Sequence, residues 1–251
     1  MSDSIASLAR LKRRLERLER PRGGLPLFAL GCRAVDARLG GGLARGALHE
    51  LCATEAEDHA TASSFALMLA ARACSTGPIF WVREDRGQRR HGRLYAPGLV
   101  ELGIDPGRIV LVTAPDTLST LRAGADILGC SGAGAVVIEP WGEAKKLDLT
   151  VSRRLVLAAE RTGVATFILR DRAAVPASAA ATRWSVAAAP STALPGNAPG
   201  QATLAVELVR HRGGIPPFGL VMEWDRDEHV FREPALSRVV LPATQRRPMA
   251  A

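Results

Sequence analysis

The fold turns on one stretch: Leu39-Gly40-Gly41-Gly42-Leu43, then Ala47-Leu48-His49-Glu50-Leu51-Cys52, then a run that reaches Phe65-Ala66-Leu67-Met68-Leu69. A glycine turn leads into a short apolar strand, and a helical pattern follows. Backbone N–H groups at a helix start surround anions, so a phosphate loop is expected between such a strand and such a helix. The connection here is Ala53-Thr54-Glu55-Ala56-Glu57-Asp58-His59-Ala60, with no glycine, no lysine and three carboxylates. A triphosphate needs cations and close backbone approach. Glu55, Glu57 and Asp58 would repel it, and the nearest lysines in sequence are Lys12 and Lys145. The stretch reads as a polyphosphate-binding scaffold whose site has been dismantled, kept for binding rather than for chemistry.

Outward from it, short apolar runs at 47–52, 79–83, 109–113, 135–139 and 164–169 alternate with helical patterns at about 60–75, 94–102, 117–129 and 148–162. Continuous apolar strands between amphipathic helices indicate an α/β fold with a mostly parallel sheet covered on both faces. Asp116 or Thr117 caps one helix start and Asp148 another, while Thr162-Gly163 closes the last. In that helix Leu149, Leu155 and Ala159 share an apolar side. Residues 170–189 are alanine-rich with arginines, and 190–200, with Pro190, Pro195 and Pro199, read as a mobile loop. Residues 203–210 and 219–224 alternate as C-terminal antiparallel strands joined through Gly213-Gly214-Ile215-Pro216-Pro217.

The ends differ from this core. In 1–24, Ile5, Leu8, Leu11, Leu15 and Leu18 recur at steps of three and four, with Arg10, Lys12, Arg13, Arg14, Arg17 and Arg20 around them. That is an N-terminal amphipathic helix with a narrow seam, suited to docking or to an ordinary solvated flank. The division is a docking helix over 1–24, a core over 25–233 and a basic tail over 234–251.

Arginine supplies nearly all of the formal charge of +8, which favours nucleic acid or an acidic protein over an acidic small molecule. An inert basic surface is the alternative. Aromatic residues are only 4% of the chain, which argues against a base-stacking platform. Cys32, Cys52, Cys74 and Cys130 lack zinc-site spacing and read as reduced thiols of a cytoplasmic protein. No apolar run reaches a membrane span, and no signal-peptide core is present. His49 and His59 have no second metal ligand at helical spacing, and Ser63 and Ser64 lack the turn that exposes a reactive hydroxyl.

The run Phe28-Ala29-Leu30-Gly31-Cys32-Arg33-Ala34-Val35-Asp36, with Leu39 to Leu43 and Gly46-Ala47-Leu48-His49-Glu50 after it, resembles the entry to the RecA-type ATPase core. More closely, Leu39 to Leu51, Trp81-Val82-Arg83, Arg93 to Leu99, Leu147 to Leu155, Val206 to Arg210 and Glu223-Trp224-Asp225 are similar to ImuA-like proteins. The resemblance spans about residues 5–232. It implies a RecA-like core and an accessory role in damage-induced, error-prone translesion DNA synthesis. The partners it implies are an ImuB-like Y-family polymerase homologue, an error-prone replicative-type polymerase and RecA itself.

Against the RecA phosphate loop, this chain has Ala53 and Asp58 for the two glycines, His59 for the lysine and Ala60 for the hydroxyl. Glu139, ending the strand 135–139, takes the place of the aspartate that holds Mg²⁺ through water. Glu84 or Asp85 falls where the family keeps its water-activating glutamate. Carboxylates without a phosphate cradle do not position ATP, so neither a cofactor nor hydrolysis is expected. The plainer reading of Glu139 is a strand-end carboxylate with a local partner. For Glu84 and Asp85 it is charge balancing Arg83, Arg86, Arg89, Arg90 and Arg93.

The seam Leu8, Leu11, Leu15 and Leu18 is the leading partner contact, because RecA protomers meet through an N-terminal helix. Arg170, Arg172 and Arg183 occupy the place of the family's DNA loops, and Arg210 and Arg212 flank a Gly-Gly turn, so DNA is an open partner. The expectation is a non-hydrolysing adaptor. The alternatives are an ATP-dependent recombinase-like enzyme and an inhibitor of cell division or of RecA.

Overall fold

The computed structural model describes residues 25–130, 132–141, 146–170, 177–193, 196 and 198–234. The seam Leu8, Leu11, Leu15 and Leu18, Arg172 and the tail from 235 onward lie outside the described residues.

The glycine turn is built as read. β1 (Leu27–Phe28) pairs antiparallel with β2 (Leu43–Ala44), and α1 (Arg33–Arg38) lies between them. Gly42, at φ 126°, passes so close that a Cβ would sit 2.1 Å from the Phe28 carbonyl oxygen. Asp36 ties the entry together by accepting from the N–H groups of Leu30 and Gly31.

Next come β3 (Leu48–Ala53), a single 3₁₀ turn (Ala56–Asp58) and α2 (His59–Ala73). β4 (Ile79–Glu84) runs into α3 (Asp85–His91) and α4 (Ala96–Glu101). β5 (Ile109–Ala114), α5 (Thr117–Leu128), β6 (Ala135–Glu139), α6 (Leu149–Thr162) and β7 (Ala165–Arg170) complete the alternation. β8 (Thr182–Ala188), β9 (Thr203–His211), β10 (Phe218–Asp225) and β11 (Val230–Arg232) follow.

Among the described residues these strands form one nine-stranded sheet in the order β11-β10-β9-β8-β3-β7-β6-β4-β5. β8, β3, β7, β6, β4 and β5 are mutually parallel, while β9, β10 and β11 extend the sheet antiparallel. β3 is central and wholly buried, as a two-sided strand must be. On one face α2 lays Phe65, Met68 and Leu69 over Leu51, Phe167 and Trp184. On the other, α5 and α6 cover Leu48, Val136, Ile138 and Ile168.

Asp116 and Asp148 cap α5 and α6 through the N–H groups of Ser119 and Val151, and Gly163 ends α6 at φ 74°. Leu149 departs from expectation. It sits at the first turn of α6 and is exposed rather than packed with Leu155 and Ala159.

Two elements correct the sequence reading. The alanine-rich segment is not a loop throughout, since β8 enters the sheet beside β3 with Trp184 and Val186 in the core. Its polar residues suggested a surface, but Ser185 meets Thr54 and Arg183 meets Glu50 inside the fold. The arginine-rich stretch after β4 forms α3, a short helix with an Arg89–Asp85 pair on its surface. At the far end of the sheet, the Trp224 indole N–H donates to the Leu102 carbonyl at 2.8 Å, fastening β10 to the turn after α4.

Candidate functional site

The connection from β3 to α2 is tied down by its own side chains. The Thr54 N–H donates to the Val186 carbonyl at 3.0 Å, and its hydroxyl lies 2.8 Å from that of Ser185. Asp58 accepts from the Glu55 N–H through one oxygen and from the Ala188 N–H through the other. The N–H groups of Thr54, Glu55 and Asp58 are thus spent on β8 and within the connection itself, with the Asp58 carboxylate as the brace. Ala53 is buried at the end of β3, and Ala60 lies exposed in the first turn of α2.

His59 opens α2 and reaches Glu139 at the end of β6, with Nε2 2.9 Å from Oε1. Since a carboxylate only accepts, the imidazole N–H donates. Arg83 on β4 grips the same carboxylate with both prongs, Nε to Oε2 at 2.7 Å and Nη2 to Oε1 at 2.9 Å. The Trp81 indole N–H adds a fourth bond to Oε2 at 2.7 Å.

A carboxylate has about four lone-pair sites, and here four donors fill them. Glu139 is only 2% exposed. Burial pushes its carboxyl pKa up, yet the hydrogen bonds from His59 and Arg83 outweigh that and hold it below the usual value. Glu139 is thus the common acceptor of a buried, closed cluster. The His91 ring stacks on His59 at 3.6 Å between centroids and leans against Trp141, shielding the pair.

Glu84 does not face an open site either. It is buried, accepting from the Thr117 hydroxyl and the Trp141 N–H, and so joins β4 to the start of α5 and to the end of β6. Asp85 pairs with Arg89. Among the described residues no group of three His, Cys, Asp or Glu could hold a metal ion, and no helix is long and apolar enough to cross a membrane.

Three of the arginines read as possible DNA contacts, Arg170, Arg183 and Arg210, are engaged inside the fold. Arg170 is 4% exposed, 3.1 Å from a Glu50 oxygen although not aligned as a hydrogen bond. Arg183 donates to the other Glu50 oxygen at 2.8 Å. Arg210 donates to the carbonyls of Ala180 and Ser178. Glu50, buried on β3, is the counter-charge that draws the first two inside. Arg212 stays exposed.

The cluster that organises the site includes Arg83 and Trp81, which the sequence placed in a stretch of resemblance but not on Glu139. The signal available was an arginine inside an otherwise apolar strand, two positions after a tryptophan, in register with β6. Arg83 pairs directly with Glu139 across the ladder.

No family model matches the chain. It is 34% identical to Protein ImuA of Caulobacter vibrioides strain NA1000 / CB15N over 207 residues, covering 76% of this chain and 81% of the relative. The Protein ImuA of Caulobacter vibrioides strain ATCC 19089 / CIP 103742 / CB 15 matches to the same extent. By that identity and coverage the chain belongs to the ImuA family.

Proposed function

We propose that the chain is a non-hydrolysing adaptor of damage-induced, error-prone translesion DNA synthesis that binds an ImuB-like partner. Its core is RecA-like with a degenerate nucleotide site. One observation carries the reading: Glu139 has a donor in each lone-pair direction, from Arg83, His59 and Trp81, in a site that would otherwise need it for Mg²⁺. The tied β3–α2 connection supports it, because the N–H groups of Thr54, Glu55 and Asp58 already have acceptors.

RecA and an error-prone replicative-type polymerase are further partners under this reading. The seam Leu8, Leu11, Leu15 and Leu18 is the proposed contact with the ImuB-like protein. Co-expressed full-length chains should co-elute, and Leu11→Asp with Leu15→Asp should release the partner. Calorimetry with Mg²⁺-ATP should show no saturable heat. Saturable binding abolished by His59→Ala, or steady phosphate release, would overturn the reading.

A further inference from the structure

We infer that the open cleft beside the Glu139 cluster docks a short acidic segment of a partner protein that inserts bulky apolar side chains. The inference deepens the adaptor reading, on which it rests, by locating a partner contact within the core.

The cleft has a volume of about 520 Å³, within the range of about 300–1,000 Å³ usual for ligand sites, and lies between α2 and the segment from His91 to Leu102. Its floor is apolar: Leu67, Trp81, Leu99 and Leu102. The donors nearest the floor, the Arg83 guanidinium and the His59 imidazole, are taken up by Glu139, so an anion reaching inward meets a cluster that is already satisfied. An apolar side chain reaching inward exchanges water for carbon.

The lip differs. Tyr95 is 71% exposed, a large amphipathic ring left in water of the kind that anchors interfaces. Arg93 is exposed beside it, and Arg86 and Arg90 are exposed on α3, which leads into this lip. Glu57 is the acidic residue of the lining. Cations on the lip over an apolar floor complement a peptide with carboxylates flanking apolar anchors.

A nucleic-acid strand would instead need a cationic track at the depth of its phosphates, where this cleft has an apolar floor and an arginine already held by Glu139.

The test uses the full chain and a labelled octapeptide with a central Leu-Phe pair between acidic residues, read by fluorescence polarisation. A same-length peptide with lysines for the acids, a single-stranded oligonucleotide and Mg²⁺-ATP serve as comparisons. The acidic peptide should bind, and the lysine peptide should bind at least about fivefold more weakly. Ser64→Leu, which fills the cleft from a half-buried position, should weaken the acidic peptide about tenfold. Arg93→Glu, at an exposed position, should narrow or reverse the preference between the peptides, a readout that a structural role would not move.

No binding of the acidic peptide, binding indifferent to both variants with unchanged circular dichroism, or competition by the oligonucleotide or by ATP would overturn the assignment. If peptide binding fails while the ImuB-like partner still co-elutes, the cleft is refuted and the adaptor reading stands. Loss of the partner from the unaltered chain refutes the adaptor reading itself.

Discussion

Taking the carboxylate away from Glu139 leaves Arg83 buried opposite an uncharged group, and breaking a buried pair from one side is costly. Glu139→Gln should lower the unfolding free energy by about 3–5 kcal/mol, read from the denaturant midpoint. Adding Arg83→Met should return part of that loss, because the two positions share one interaction. His49 poses the opposite problem, a titratable ring buried as the neutral form. Its Nε2–H donates to the Ala44 carbonyl and its Nδ1 accepts from the Thr182 hydroxyl, which in turn accepts from the Trp184 indole. Protonation would set two donors against each other, and desolvation by burial lowers the pKa to about 4. The unfolded chain therefore takes up the proton first, and stability falls as pH drops from about 6.5 to about 4. Between pH 7 and pH 5 the loss from this ring is about 2 kcal/mol, and His49→Gln should flatten that part of the stability profile. Glu139 acts in a lower window. Its depressed pKa means that its contribution persists above the unfolded value of 4.5 and is lost only as pH falls through the folded one.

At the level of elements, Gly42 and Asp148 allow graded tests. Gly42→Ala combines φ 126° with a contact that cannot form, and should cost at least about 2 kcal/mol by thermal or chemical denaturation. Asp148→Ala removes one cap bond at an exposed helix start and should cost about 1 kcal/mol. β3, β4, β6 and β7 were legible to within a residue at each end, because burial on both faces makes them nearly unbroken apolar runs, and the edge strand β5 was legible from its β-branched run Ile109-Val110-Leu111-Val112-Thr113. β8 was not legible. Its polar side chains are satisfied by β3, and nothing local in Thr182, Arg183 or Ser185 announces partners some 130 residues away. For the same reason the sequence showed acids, and neither glycine nor lysine, between β3 and α2, yet concealed what those side chains hold. The bond from Asp58 to Ala188 and the grip of Arg83 on Glu139 exist only after the sheet is assembled.

Across the whole molecule, the charge of +8 overstates what is offered to an anionic polymer. Arg83, Arg170, Arg183 and Arg210 are committed to Glu139, Glu50 and backbone carbonyls. If the chain meets single-stranded DNA, those four add no phosphate contacts and the exposed arginines set the salt dependence: Arg212→Ala should make the log–log slope of affinity against salt shallower by about 0.7 by anisotropy titration. A steep slope would mean that exposed arginines outside these clusters form a continuous track.

The hydrogen bond from Trp224 to Leu102 has a temporal consequence. The wall that Leu99 and Leu102 contribute to the cleft is fastened by a residue synthesised 122 positions after Leu102, on a strand that cannot join the sheet before β8 and β9 are in place. A ribosome-tethered chain stalled short of Trp224 should therefore be unable to recruit through this surface. Readiness to engage waits on a strand translated long after the wall itself.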